Sequence, residues 1–99
     1  MDSQFEERIR GLRESFVAGL PQRLATMRNA ARGDDRATVR IEAHRLAGTG
    51  LLYGLPQLTD WGRAVEHKLK SGAALPSLTA DLDALSDLIA QLVPYQAVG

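Results

Sequence analysis

The chain has 99 residues, 44% of them hydrophobic and 24% charged, which is enough for one soluble core and too little for two. Twelve Lys and Arg balance twelve Asp and Glu, so no global field draws the protein to nucleic acid or to an anionic membrane. The absence of cysteine excludes disulfides, a thiolate nucleophile and any Cys-based zinc site.

The N-terminal stretch MDSQFEERIRG is charged and lacks the apolar run of a signal peptide. No segment approaches the roughly 18 apolar residues of a membrane span. These features predict a single cytoplasmic domain over residues 1–99, with neither a membrane nor a nucleic-acid partner. Aromatic residues make up 5% of the chain, β-branched residues are sparse, and helical periodicity accounts for most of its length.

A first helical region runs from about Ser3 to Ala31, with Phe16, Leu20, Leu24, Met27 and Ala31 on one stripe. Pro21 lies inside it and either kinks the helix or begins a new one. The favoured reading is a short extra N-terminal helix followed by a longer one. RGDD at 32 to 35 follows, with Gly33 as a C-cap and Asp34 or Asp35 as the next N-cap. The second region, about Arg36 to Tyr53, places Val39, Ala43, Leu46, Gly50 and Tyr53 on one face. GLP at 54 to 56 interrupts it, and Pro56 suits the first turn of a further helix whose inner face is Leu58, Trp61, Val65 and Leu69. KSGAALPS ends that helix. Ser77 is placed to cap the last one, lined by Leu78, Leu82, Leu85, Leu88, Ile89 and Leu92 and stopped by Pro94. Short connections imply antiparallel neighbours, so the expected fold is all-α, an up-and-down four-helix bundle.

EAHRLAGTGLLYG, residues 42 to 54, holds one histidine and three glycines. On a wheel of about 100° per residue, His44 falls roughly 140° from the Val39–Ala43–Leu46 stripe and faces outward. Ala37, Arg40, Ile41, Ala47, Gly48 and Leu51 lie on the same side, giving the helix a second, small-residue apolar face. Such a face either docks another protein or is buried as part of a central helix. In the docking reading Gly48, one turn from His44, clears room for a partner's backbone beside the imidazole. Gly50 allows close helix contact, and Gly54 serves the helix end.

AHRLAGTGLLYGLPQLTDWGRAVE, Ala43 to Glu66, resembles the signature of histidine-containing phosphotransfer (HPt) domains. That pattern runs Ala-His-x-Leu-Lys-Gly-Ser, then Leu-Gly, a spaced Leu and a closing Leu-Glu. Ala43, His44, Leu46, Gly48, Leu58 and Glu66 match it directly. Thr49 stands for the small hydroxyl residue, Tyr53-Gly54 for Leu-Gly, and Val65 for the last leucine. The likeness extends from about Phe16 to Leu69 and includes the Gly-Asp turn. In one position the chain departs from the pattern: Ala47 stands where the family carries a lysine beside the phosphoryl group. Arg40, one turn before His44, is a candidate replacement cation, and Lys70 or Lys68 on the next helix is another.

The resemblance implies a phosphorelay intermediate. His44 would accept a phosphoryl group from a receiver-domain aspartate or a kinase and pass it to another receiver. A neutral imidazole is an available nucleophile at cytoplasmic pH, and its product is a covalent phosphoimidazole. The sequence shows no Gly-rich phosphate loop and no carboxylate cluster for Mg²⁺, so no cofactor and no autonomous kinase activity are expected of it. Mg²⁺ is expected on the partner receiver. Glu66 would orient the other ring nitrogen of His44, or else pair with Lys70 at i+4. Ala37, Ile41, Ala47 and Leu51 would dock a response-regulator receiver or a histidine or hybrid kinase. His67 and Trp61 read as a surface residue and a core residue, and a monomer would keep the His44 face open. The alternative, kept alive by Ala47, is an HPt-like interaction module that binds such a partner without stable phosphorylation.

Overall fold

A computed structural model describes the backbone of residues 3–98 and the side chains of residues 3–92. Five α-helices follow in order, α1 Ser3–Ala18, α2 Leu20–Arg32, α3 Arg36–Leu52, α4 Pro56–Lys70 and α5 Thr79–Val98. The extra N-terminal helix is present as α1, and Pro21 begins α2 rather than kinking a longer helix. Proline suits that place because the N–H it lacks has no intrahelical partner in a first turn.

The break between α2 and α3 follows the expected chemistry. Gly33 caps α2, Asp34 takes the left-handed conformation at φ 59°, and Asp35 accepts a hydrogen bond from the Thr38 backbone N–H at 3.1 Å. Two later signals play out differently. Ser77 does not cap α5; it lies in a single 3-10 turn, Leu75–Leu78, and donates its hydroxyl to the Ala74 carbonyl. Leu75 and Leu78 are both buried, so the turn is held by packing and α5 begins only at Thr79. Pro94 does not stop α5, which continues to Val98. A proline interrupts the helical ladder at its own position, and here the remaining bonds of a twenty-residue helix carry the turn past it.

The core is the set of stripes read above. Leu20 and Met27 of α2, Val39, Ala43 and Leu46 of α3, Leu58 and Val65 of α4, and Leu85 of α5 are essentially sealed from solvent. Each large member contributes about 1.5–3 kcal/mol by burial. Trp61 packs in the same core and donates its indole N–H to the Asp81 carbonyl at 2.7 Å, fastening α4 to α5.

The most extensive helix contact is α3 against α4, and small residues make it close. A Cβ on Gly50 would fall 2.5 Å from Thr59 Oγ1, and one on Gly62 would fall 2.5 Å from the Ala43 carbonyl oxygen. Only glycine fits at either position. The buried Thr59 hydroxyl donates to the Ala47 carbonyl at 2.8 Å, and the Arg36 guanidinium donates to the Leu69 and Ala73 carbonyls at the end of α4. The two helices are thereby locked in register, antiparallel, with Ala43 beside Gly62.

Candidate functional site

That register decides what lies next to His44. The residue is on the outer face of α3 with its side chain 76% exposed, while Glu66, on the facing turn of α4, is 17% exposed. Glu66 Oε2 lies 3.1 Å from His44 Nδ1. A carboxylate oxygen accepts, so the bond places the ring hydrogen on Nδ1 and the lone pair of the neutral ring on Nε2. Among the described residues Nε2 has no hydrogen-bond partner. The Glu66 carboxylate thus goes to the imidazole and not to Lys70 one turn away.

The ring borders a shallow hollow of about 330 Å³ lined by Arg40, Ile41, His44, Glu66 and Lys70. A second hollow of about 360 Å³, lined by Arg36, Ala37, Arg40, Leu69 and Lys70, adjoins it through Arg40 and Lys70. Both cations are exposed, and neither is paired with a carboxylate among the described residues. Lys68, the other candidate cation, is engaged elsewhere: its Nζ lies 2.7 and 2.9 Å from the two Asp81 carboxylate oxygens. Arg36, by capping the end of α4, fixes the turn that carries Lys70.

Gly48 is exposed, and a Cβ built on it would meet nothing within 4 Å, so the space beside His44 is open. Ala37, Ile41 and Leu51 are exposed on the same helix. Ala47 is not. Expected on the docking face, it is 7% exposed and packs beneath α4. At roughly 80° from the centre of the core stripe it lies on the border of the buried face, and Gly62 lets α4 come near enough to cover it. Leu52, exposed and one turn beyond Gly48, extends the apolar rim although the sequence reading leaves it out. Its angle, as far from the core stripe as that of His44, was the available signal.

His67 is exposed on α4, and Trp61 is core. No three histidine or carboxylate side chains among the described residues gather as a metal site. No helix among them is long and apolar enough to cross a membrane.

The arrangement offers an immobilised ring with one nitrogen occupied, the other open, two unpaired cations alongside and an apolar rim. A family model described as Hpt domain matches residues 11–94. No curated protein and no solved structure matches the chain.

Proposed function

The chain belongs to the Hpt domain family, and from that premise we propose that His44 is the phosphoryl-accepting residue of a phosphorelay intermediate. Hpt domains serve phosphotransfer in two-component phosphorelays, where they meet receiver domains and kinases. The observation that carries the assignment to His44 is its exposed ring, held through Nδ1 by Glu66 with Nε2 open.

In the proposed reaction the Nε2 lone pair attacks the phosphorus of a receiver's aspartyl phosphate. The N–P bond forms as the P–O bond to the aspartate breaks, and the carboxylate leaves with the electron pair. The ring keeps its Nδ1 hydrogen and becomes a phosphoimidazolium, whose positive charge faces the Glu66 carboxylate. Attack on phosphorus by a second receiver's aspartate reverses the sequence. Phosphoryl transfer depends chiefly on position and charge compensation. Arg40 and Lys70 are the groups beside His44 that compensate the phosphoryl charge in place of a lysine at Ala47. Mg²⁺ and the accepting carboxylate are assigned to the receiver, and no cofactor is assigned to this chain. The receiver would seat on Ala37, Ile41, Leu51 and Leu52, with Gly48 giving its backbone access. A cytoplasmic location fits this reading, since receivers and kinase cores work there.

Ala47 favours a second reading, in which the same face binds a receiver or kinase without lasting phosphorylation. One experiment separates the two. The protein is incubated with phosphorylated receivers and assayed for acid-labile, alkali-stable phosphate, with His44→Gln in parallel. Label on the unmodified protein and none on the variant supports transfer. Stable binding without label supports the module.

A further inference from the structure

The first turns of α1 are exposed, and from Arg10 onward the helix borders a hollow shared with Gly54, Leu55, Pro56, Gln57 and Leu92. Every residue from Ser3 to Ser15 is exposed, and Val17 is the buried residue of this helix. A helical stretch this short is marginal in water without packing, and Gly11 weakens it further. Yet it carries a seam of large apolar side chains: Phe5 is 54% exposed, Ile9 37% and Leu12 50%. Their spacing of four and three residues is that of a helix-pairing seam. It runs on to Phe16, whose ring lies 5.1 Å from that of Tyr53.

The charges beside the seam read in one direction. Glu6 and Glu7 come first, and Arg8, Arg10 and Arg13 follow. On the wheel Glu6 and Arg13 share one border of the seam and Arg8 lies on the other. Such an arm complements itself when reversed. If Ile9 of one copy packs on Leu12 of another, the two-fold relation brings Leu12 onto the second copy's Ile9 and Phe5 toward its Phe16. The same register sets Glu6 beside the second copy's Arg13, and Arg13 beside its Glu6, with the helix dipoles opposed. A parallel pair would place each charge near its own kind.

We infer that α1 is a self-association arm: two copies pair antiparallel through Phe5, Ile9 and Leu12, with Glu6 of each against Arg13 of the other. This proposal departs from the monomer expected from sequence. Three side chains per copy make a small patch, so the pairing is weak and reversible, with a Kd on the order of 10–100 µM. None of the residues around His44 takes part, so each copy keeps its site.

Sedimentation of the full chain across concentrations from roughly tenfold below to tenfold above that Kd tests the inference. The average mass is expected to rise reversibly from 10.8 kDa toward twice that value. Leu12→Glu, at an exposed position of α1, should weaken association at least roughly tenfold while the circular dichroism of the bundle persists. Glu6→Arg and Arg13→Glu should each weaken pairing alone, and their equimolar mixture should restore it. A chain that stays monomeric throughout overturns the proposal, as does a dimer indifferent to Leu12→Glu or a mixture that associates no better than its parts. If the chain is monomeric and Leu12→Glu instead slows acceptance from a receiver, the arm docks receivers and the self-pairing is wrong.

Discussion

His44 Nδ1 and Glu66 Oε2 stand 3.1 Å apart across the α3–α4 contact, so one residue's ring is held by the next helix's carboxylate. The bond exists because Gly50 and Gly62 let those helices approach; two larger residues there would carry Glu66 out of reach. Glu66→Ala should therefore slow phosphoryl acceptance roughly tenfold, about 1.4 kcal/mol of transition-state stabilisation. Glu66→Gln, whose amide oxygen still accepts from Nδ1–H, should retain most of the rate. Single-turnover transfer from a phosphorylated receiver measures both. Equal rates for the alanine variant and the unmodified protein would remove Glu66 from the site.

Three glycines of one short region should respond in opposite ways. Gly48 is exposed on helix α3 with open space where a Cβ would go. Gly48→Leu should preserve the fold and gain up to about 0.8 kcal/mol in helix propensity, raising Tm by a few degrees. The same leucine should slow transfer by roughly tenfold or more, because it fills the approach to the imidazole. Gly50→Ala and Gly62→Ala meet Thr59 Oγ1 and the Ala43 carbonyl, and should cost about 1–3 kcal/mol. Thermal melts beside transfer assays separate the two behaviours; a Gly48→Leu protein that transfers at the unmodified rate contradicts the access role.

Arg40 and Lys70 share both hollows beside His44 and hold no carboxylate partner among the described residues. Their charge is free for an incoming phosphoryl group. Arg40→Glu and Lys70→Glu should each reduce acceptance several-fold, and the pair should lose more than either alone, with Tm almost unchanged since no ion pair is broken. The loss should be largest at low ionic strength. Unaltered transfer in the double variant would show that neither replaces the lysine absent at Ala47.

At the start of α3 the Thr38 hydroxyl and then the Thr38 backbone N–H hold the Asp35 carboxyl below the ordinary aspartate range. A carboxyl lowered by folding stabilises the native state above the ordinary aspartate value, and that contribution fades as pH falls through the lowered value. Asp35→Ala should accordingly lower Tm at neutral pH. The gap from the unmodified protein should stay constant above about pH 5 and narrow below about pH 4. A gap of constant size throughout acid titration would separate the cap from its charge.

Much of this was legible in the sequence for local reasons. Gly33, Asp35, Pro21 and Pro56 mark helix ends through their own backbone chemistry, and a 3.6-residue period sets His44 on the side of α3 away from the Val39–Ala43–Leu46 stripe. Residues on a border were harder. Ala47 is 80° from the core stripe, and whether such a position is covered depends on how near α4 comes, which Gly62 decides from fifteen residues away. Lys68 and Lys70 fall roughly 200° apart on the α4 wheel, Lys70 on the side of Glu66 and Lys68 on the other, where it meets Asp81 of α5. Ser77 and Pro94 carry correct local signals that packing and a long helix override. Phe5, Ile9 and Leu12 have a spacing that a core face and a surface seam share, and only the fold shows that they are exposed.

Histidine-resolved ¹⁵N and ³¹P NMR of the protein, before and after exposure to a phosphorylated receiver, addresses the chemistry at its own atoms. The account predicts a hydrogen on His44 Nδ1 shared with Glu66, then phosphorus coupling at Nε2 of that ring, with His67 unchanged. Phosphorus on His67, coupling at Nδ1 of His44, or a His44 ring unaltered by receivers that do exchange phosphate would contradict it.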